Sequence, residues 1–244
     1  MMTIQLTRKQ MTRLLYSLKG VSTHLPIDIV KQALGTTMIN EMEIPSFLSK
    51  SNKRRNSNQE YGLSTNEIVA LANLCELTSL KSTSIQNWIK RDVKELIGTP
   101  ELGKKYSIDQ AAMLLIVKDL KTVFEFEKIR KLLIVVFNTL SDRSDDLISP
   151  ITFYEIYADV IDSIETLPSL SLNDQKLEIR IVDIINAMSK RFSELSEQEW
   201  LKIRNVLVVT VLSVLASHFQ TRAQVYLNTH FDELNITSIE NLRK

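Results

Sequence analysis

Residues 82–121 read "STSIQNWIKRDVKELIGTPELGKKYSIDQAAMLLIVKDLK". Two apolar stretches of helical period stand either side of a short loop. The loop holds Gly98, Pro100, Gly103 and a Lys104-Lys105-Tyr106 run. Glycine permits positive φ and proline stiffens a turn. In a chain with only 5 glycines, two in one loop mark a tight turn between two helices, with cations at its tip. On the first helix Ile85, Trp88 or Ile89, and Val93 fall inward. Ser84, Gln86, Asn87, Lys90, Arg91 and Lys94 then face outward or flank the seam.

The preceding residues add a partner helix. In "STNEIVALANLCEL" (64–77), Ile68, Leu71, Ala72 and Leu74 or Cys75 share one face. Two short helices, the second rich in exposed amides and bases, describe a helix-turn-helix. Amides can pair with adenine edges, and bases with guanine or phosphate. The loop at 98–107 suits a small basic wing against a nucleic-acid backbone. Two further helices follow. Ala112, Leu115, Ile116 and Leu120 form the inward stripe of one, and Phe126, Ile129, Leu132 and Leu133 that of the next.

This order resembles the MerR family of winged-helix regulators: helix-turn-helix with a late Trp, basic wing ending in Lys-Tyr-Ser, "DQAAMLLIVKDLK", then "FEFEKIRKLL". It is similar, more closely, to a bacterial group of MerR-like proteins catalogued as a domain of unknown function. Ser82, Ile85, Asn87, Trp88, Lys90, Lys104, Lys105, Tyr106 and Ser107 stand at matching positions. The resemblance covers roughly residues 60–137. It implies sequence-specific DNA binding in transcriptional control. Ser84, Gln86, Asn87, Lys90, Arg91, Lys94, Lys104 and Lys105 are the expected DNA-binding residues. A protein-interaction module that kept the winged fold and lost DNA binding is the alternative.

Outside this segment the chain also reads as helical. Ser64/Glu67, Thr83/Gln86, Ser107/Gln110 and Ser196/Glu199 have capping-box spacing, and Ser149-Pro150 fits an N-cap with proline at N1. No strict apolar-polar alternation runs over five residues; "IQL" (4–6) and 103–107 are the short strand candidates. The expected class is all-α: a winged helix-turn-helix followed by a C-terminal helical bundle. The expected divisions are an N-terminal helical segment (1–48), a basic linker (49–60), the winged domain (61–140) and a C-terminal helical domain (141–244).

Charge follows a similar division. The net charge is +1, but residues 1–137 carry 20 Lys and Arg against 13 Asp and Glu, leaving 10 against 16 beyond. A basic half to meet an anion and an acidic half for another task is the implied arrangement. Helices are expected at 150–166, 174–195 and 197–230. Leu177, Ile181, Ile184, Met188 and Phe192 line the second, and the third is apolar all round between Ile203 and Leu215. Such a helix must be surrounded, by its own chain or by a second copy. A homodimer through these helices would suit paired half-sites.

Other classes find little support. The apolar run at 206–219 is 14 residues long, against about 20 for a bilayer span, so no membrane association is expected. There is no P-loop, G-x-G-x-x-G or H-E-x-x-H. His24, His218 and His230 are far apart, and Cys75 lies on an inward face. The acid pairs Asp145-Asp146 and Asp232-Glu233 flank helices. No enzyme, metal or cofactor is expected, and one cysteine excludes an internal disulfide. A cytoplasmic setting follows.

Overall fold

The computed structural model describes residues 4–35, 44–53, 60–138, 143–165 and 176–230. Residues 54–59 of the expected basic linker and the Asp232-Glu233 pair lie outside them. The described residues form helices α1 (Arg8–Lys19), α2 (Pro26–Ala33), α3 (Ser46–Lys53), α4 (Thr65–Ala72), α5 (Ser82–Asn87), α6 (Lys94–Ile97), α7 (Ile108–Lys121), α8 (Phe126–Leu133), α9 (Pro150–Glu165), α10 (Lys176–Met188) and α11 (Glu197–Thr229). A π turn, Trp88–Asp92, joins α5 to α6. No strand is present among the described residues, only isolated bridges. The fold is all-helical.

Local chemistry sets the helix starts. Ser64, Ser107 and Ser196 each form the expected reciprocal capping box with the Glu or Gln three residues on. Thr7 and Gln10 form a fourth, ahead of α1. Ser149 Oγ accepts from the Thr152 N–H, with Pro150 as the first helical residue. The Thr83/Gln86 box does not form. Helix α5 begins two residues earlier than that box requires, with Lys81 at the cap and no side-chain acceptor.

One hydrophobic core runs from Ile4 to Leu215. Helices α7 and α9 are its centre. Helix α9 packs on α1, α7, α10 and α11, and α11 also packs on α7. The expected inward stripe of α7 is too narrow: every residue from Gln110 to Leu120 is buried, Lys118 and Asp119 included. Residues from all three expected helical segments therefore share one interior.

A polar cluster crosses that interior. Arg8 of α1 is 1% exposed and Asp119 of α7 is 3% exposed. Arg8 donates through Nε and Nη2 to the two Asp119 oxygens, at 3.0 Å each. Asp119 also accepts from Lys118 Nζ at 3.1 Å and from the Tyr157 hydroxyl of α9 at 3.0 Å. Arg8 Nη1 reaches Glu76 at 3.3 Å and His218 Nε2 of α11 at 2.8 Å. Leu6 pairs in parallel with Cys75 beside this cluster. Two cations and two carboxylates balance, as buried charges must. Burial would raise the Asp119 carboxyl, but the Arg8 guanidinium and the Lys118 ammonium outweigh it and hold it well below the usual carboxylate range. Burial lowers His218 to about 4, helped by Arg8. The imidazole is therefore neutral and accepts the guanidinium proton.

Helix α11 is covered only in part. Ile203, Val206, Leu207, Val211, Val214 and Leu215 are buried. Beyond His218 it leaves the core, and Phe219, Val225 and Tyr226 are exposed. By length and composition it could cross a membrane, but half of its most apolar stretch is buried within the fold.

Candidate nucleic-acid interface

Three chain segments converge where the sequence places the candidate residues. The first is the residue pair ahead of α4. Leu63 pairs antiparallel with Tyr106, through Leu63 N–H to Tyr106 O and Tyr106 N–H to Leu63 O, both at 2.8 Å. The second is a hairpin in which Leu102 pairs with Lys105 across Gly103 and Lys104. Gly103 has φ +69°, a conformation that favours glycine. Gly62 is needed for a different reason. A Cβ there would stand 2.9 Å from the Lys105 Cβ. The third segment is α5, the π turn and α6, which lie against α4 and α7.

Gln110 holds the base of the hairpin from inside. It is fully buried. Its Nε2 donates to the carbonyls of Ile97 at 2.7 Å and Thr99 at 2.6 Å, closing the turn at Gly98. Its Oε1 accepts from the backbone N–H of Ser107 and Glu101. Glu67 does the same on the other side. It accepts from the Ser64 N–H at 2.8 Å, the Tyr61 hydroxyl at 3.1 Å and Lys105 Nζ at 3.2 Å. Burial opposes the Glu67 charge, but Ser64 and Lys105 hold its carboxyl below the usual range.

The expected site residues fall into two groups. Gln86, Asn87, Lys90, Arg91 and Lys94 are exposed along 86–94, and Lys104 is exposed at the hairpin tip. Ser84 is half-buried in α5. Lys105 is turned inward: it pairs with Glu67 and its ammonium lies 5.1 Å from the Tyr61 ring centre. Trp88 is half-buried and meets Phe126 edge-on, centroids 5.6 Å apart. Tyr106 is buried, with its hydroxyl raised by burial.

Sequence reasoning missed the π turn. The Val93 N–H donates to the Trp88 carbonyl five residues back, at 2.9 Å, which is the π pattern. Arg130 Nη1 of α8 donates to the Asp92 carbonyl at 2.6 Å. No run of residues in 82–97 announces this, because the contacts that brace it, from Arg130 and Phe126, come from α8. Elsewhere, Cys75 is packed in the core, and burial raises its thiol. No group of His, Cys, Asp and Glu suited to a metal occurs among the described residues.

The architecture defines an all-helical protein with a cationic face built from one broken helix and one short hairpin. Residues 39–157 match the family described as a domain of unknown function, DUF1836. The chain is 53% identical over 222 residues to the protein named "Uncharacterized protein YkrK" of Bacillus subtilis (strain 168), covering 90% of this chain and 95% of that one. The chain belongs to this bacterial family. The matched span crosses the expected boundary between residues 140 and 141 and ends inside α9, at Tyr157. No solved structure matches.

Proposed function

We propose that the protein is a sequence-specific DNA-binding transcriptional regulator with a MerR-like winged helix-turn-helix. Helices α4 and α5 form the helix-turn-helix, the face at 86–94 is the recognition element, and the hairpin at 102–105 is the wing. The observation that carries this is the coexposure of Gln86, Asn87, Lys90, Arg91 and Lys94 on one element, beside a hairpin with Lys104 at its tip. Amides supply base-edge readout and cations supply phosphate contacts. The Glu67–Lys105 pair fixes the hairpin in place, so Lys105 orients the wing and Lys104 meets the backbone. Paired half-sites call for two copies, joined through the C-terminal helices, in the cytoplasm with the DNA.

The test is a gel-shift series on genomic fragments across salt. Lys104→Ala should weaken binding to every fragment and lower the slope of log K against log salt by about 0.9. Asn87→Ala should change the preferred sequence more than the overall affinity. Absence of binding at low salt would instead leave the interaction-module reading. Sedimentation over a concentration series tests the dimer; a monomer at high concentration removes the paired half-sites.

A further inference from the structure

The element at 82–97 has an unusual shape for a recognition helix, and its shape is imposed from outside. Ile85, Ile89, Val93, Leu96 and Ile97 are all buried. In an unbroken α-helix, Ile85 and Ile97 would stand about 120° apart around the axis. The π turn takes up one extra residue, about 100° of rotation; in ideal geometry this brings those two to within about 20° and carries Leu96 to the other side of Ile85. The same rotation acts on the exposed side. Lys94 would lie about 80° from Gln86 in an unbroken helix. With the extra residue, ideal geometry places it about 20° away, on the side of Gln86 and Lys90; all three are exposed.

Two contacts from α8 hold this geometry. Phe126 braces Trp88, where the turn begins. Arg130 donates to the Asp92 carbonyl, where it ends. The N–H groups of Leu96 and Ile97 both donate to Val93 O, so Arg130 supplies the charged donor for the carbonyl before it. Val93 itself sits at φ −132°, ψ 27°, outside the helical region.

We propose that Arg130 is a positioning residue for the DNA-recognition face: by holding the Asp92 carbonyl it keeps the extra-residue turn and so sets Lys94 in line with Gln86 and Lys90. This rests on the DNA-binding reading above. The experiment compares full-length Arg130→Met, Arg130→Lys and Lys94→Ala with the wild type, by amide hydrogen exchange and by DNA binding across salt. In Arg130→Met, the Val93 amide should exchange at least about tenfold faster while amides of the α7 core keep their protection. Its salt slope should fall by about 0.9, the loss of one phosphate contact, and its preference among sites should change. Arg130→Lys should restore part of both effects. Lys94→Ala, an exposed substitution, should lower the slope by the same amount with Val93 unchanged; no change in slope overturns the proposal even if Arg130→Met fails to fold. Weakened DNA binding in Arg130→Met with normal Val93 exchange would mean that Arg130 contacts DNA directly, and overturns it. So would faster exchange with unaltered binding. A wild-type chain that ignores DNA removes both this inference and the function it rests on.

Discussion

Asp119→Asn isolates the energetics of the buried cluster. The carboxylate accepts two bonds from Arg8, one from Lys118 and one from Tyr157. Asparagine keeps the volume, but it removes the charge and turns one acceptor into a donor that faces cations. Arg8 is then a buried guanidinium whose remaining carboxylate is the longer, partly exposed contact to Glu76. Breaking a buried pair from one side costs about 3–5 kcal/mol, a large share of the 5–15 kcal/mol that typically separates folded from unfolded chains. For a chain of this size the melting temperature should drop by on the order of 10 °C. Urea unfolding followed by circular dichroism measures the loss. The cycle is completed by Arg8→Met and by the double variant. Because the second change removes the stranded charge, the double variant should cost less than the sum of the singles, by about 2 kcal/mol or more. Additive costs, or a loss below about 1 kcal/mol in Asp119→Asn, would show that the cluster does not hold these helices together.

Two further outcomes follow from other parts of the structure. His218 titrates near 4 in the fold against 6.5 ordinarily, so the unfolded chain binds more protons between those values and stability should fall as pH drops from 6.5 towards 4. The imidazole is part-exposed, and the loss from this group should be about 1–2 kcal/mol after solvent screening; Arg8, Asp119, Lys118 and Arg222 act on it, and Arg8 also reaches Glu76. His218→Asn should flatten that part of the pH profile, as read by melting temperature from pH 4 to 7. Gly62→Ala should cost about 1–3 kcal/mol through overpacking against Lys105 and Leu102, and amide exchange should show lost protection at Leu63 and Tyr106; unchanged protection would mean the hairpin yields freely.

What the sequence disclosed was mostly short-range. The boxes at Ser64, Ser107 and Ser196 are decided by residues three apart, and they form as read. Thr83/Gln86 has the same spacing and fails, because the chain enters α5 at Ser82 and a cap depends on where the preceding residues come from. The exposed candidate residues on 86–94 were legible from helical period. The π turn was not, since Arg130 and Phe126 impose it from the next helix but one. Lys118 and Asp119 fall outside the inward stripe read from the sequence; the charge partner buried with them is Arg8, 111 residues from Asp119. The exposed end of α11 was hidden by composition, because an apolar pattern says what should be covered and not whether the fold reaches far enough to cover it.

The reach of Arg8 also bears on the kinetics of folding. Its bond to Asp119 closes a separation of 111 residues, and its contact with His218 one of 210. Helices rich in local contacts form quickly, but long-range closures must meet their entropy before any contact is made. The helices should therefore appear well before the buried charges are matched. Until α11 arrives, Arg8, Lys118 and Asp119 stand in a partly hydrated cleft. The last event of refolding would be the expulsion of that water, with far-UV signal regained early and Tyr154 and Tyr157, packed 4.8 Å apart beside the cluster, reporting the late step.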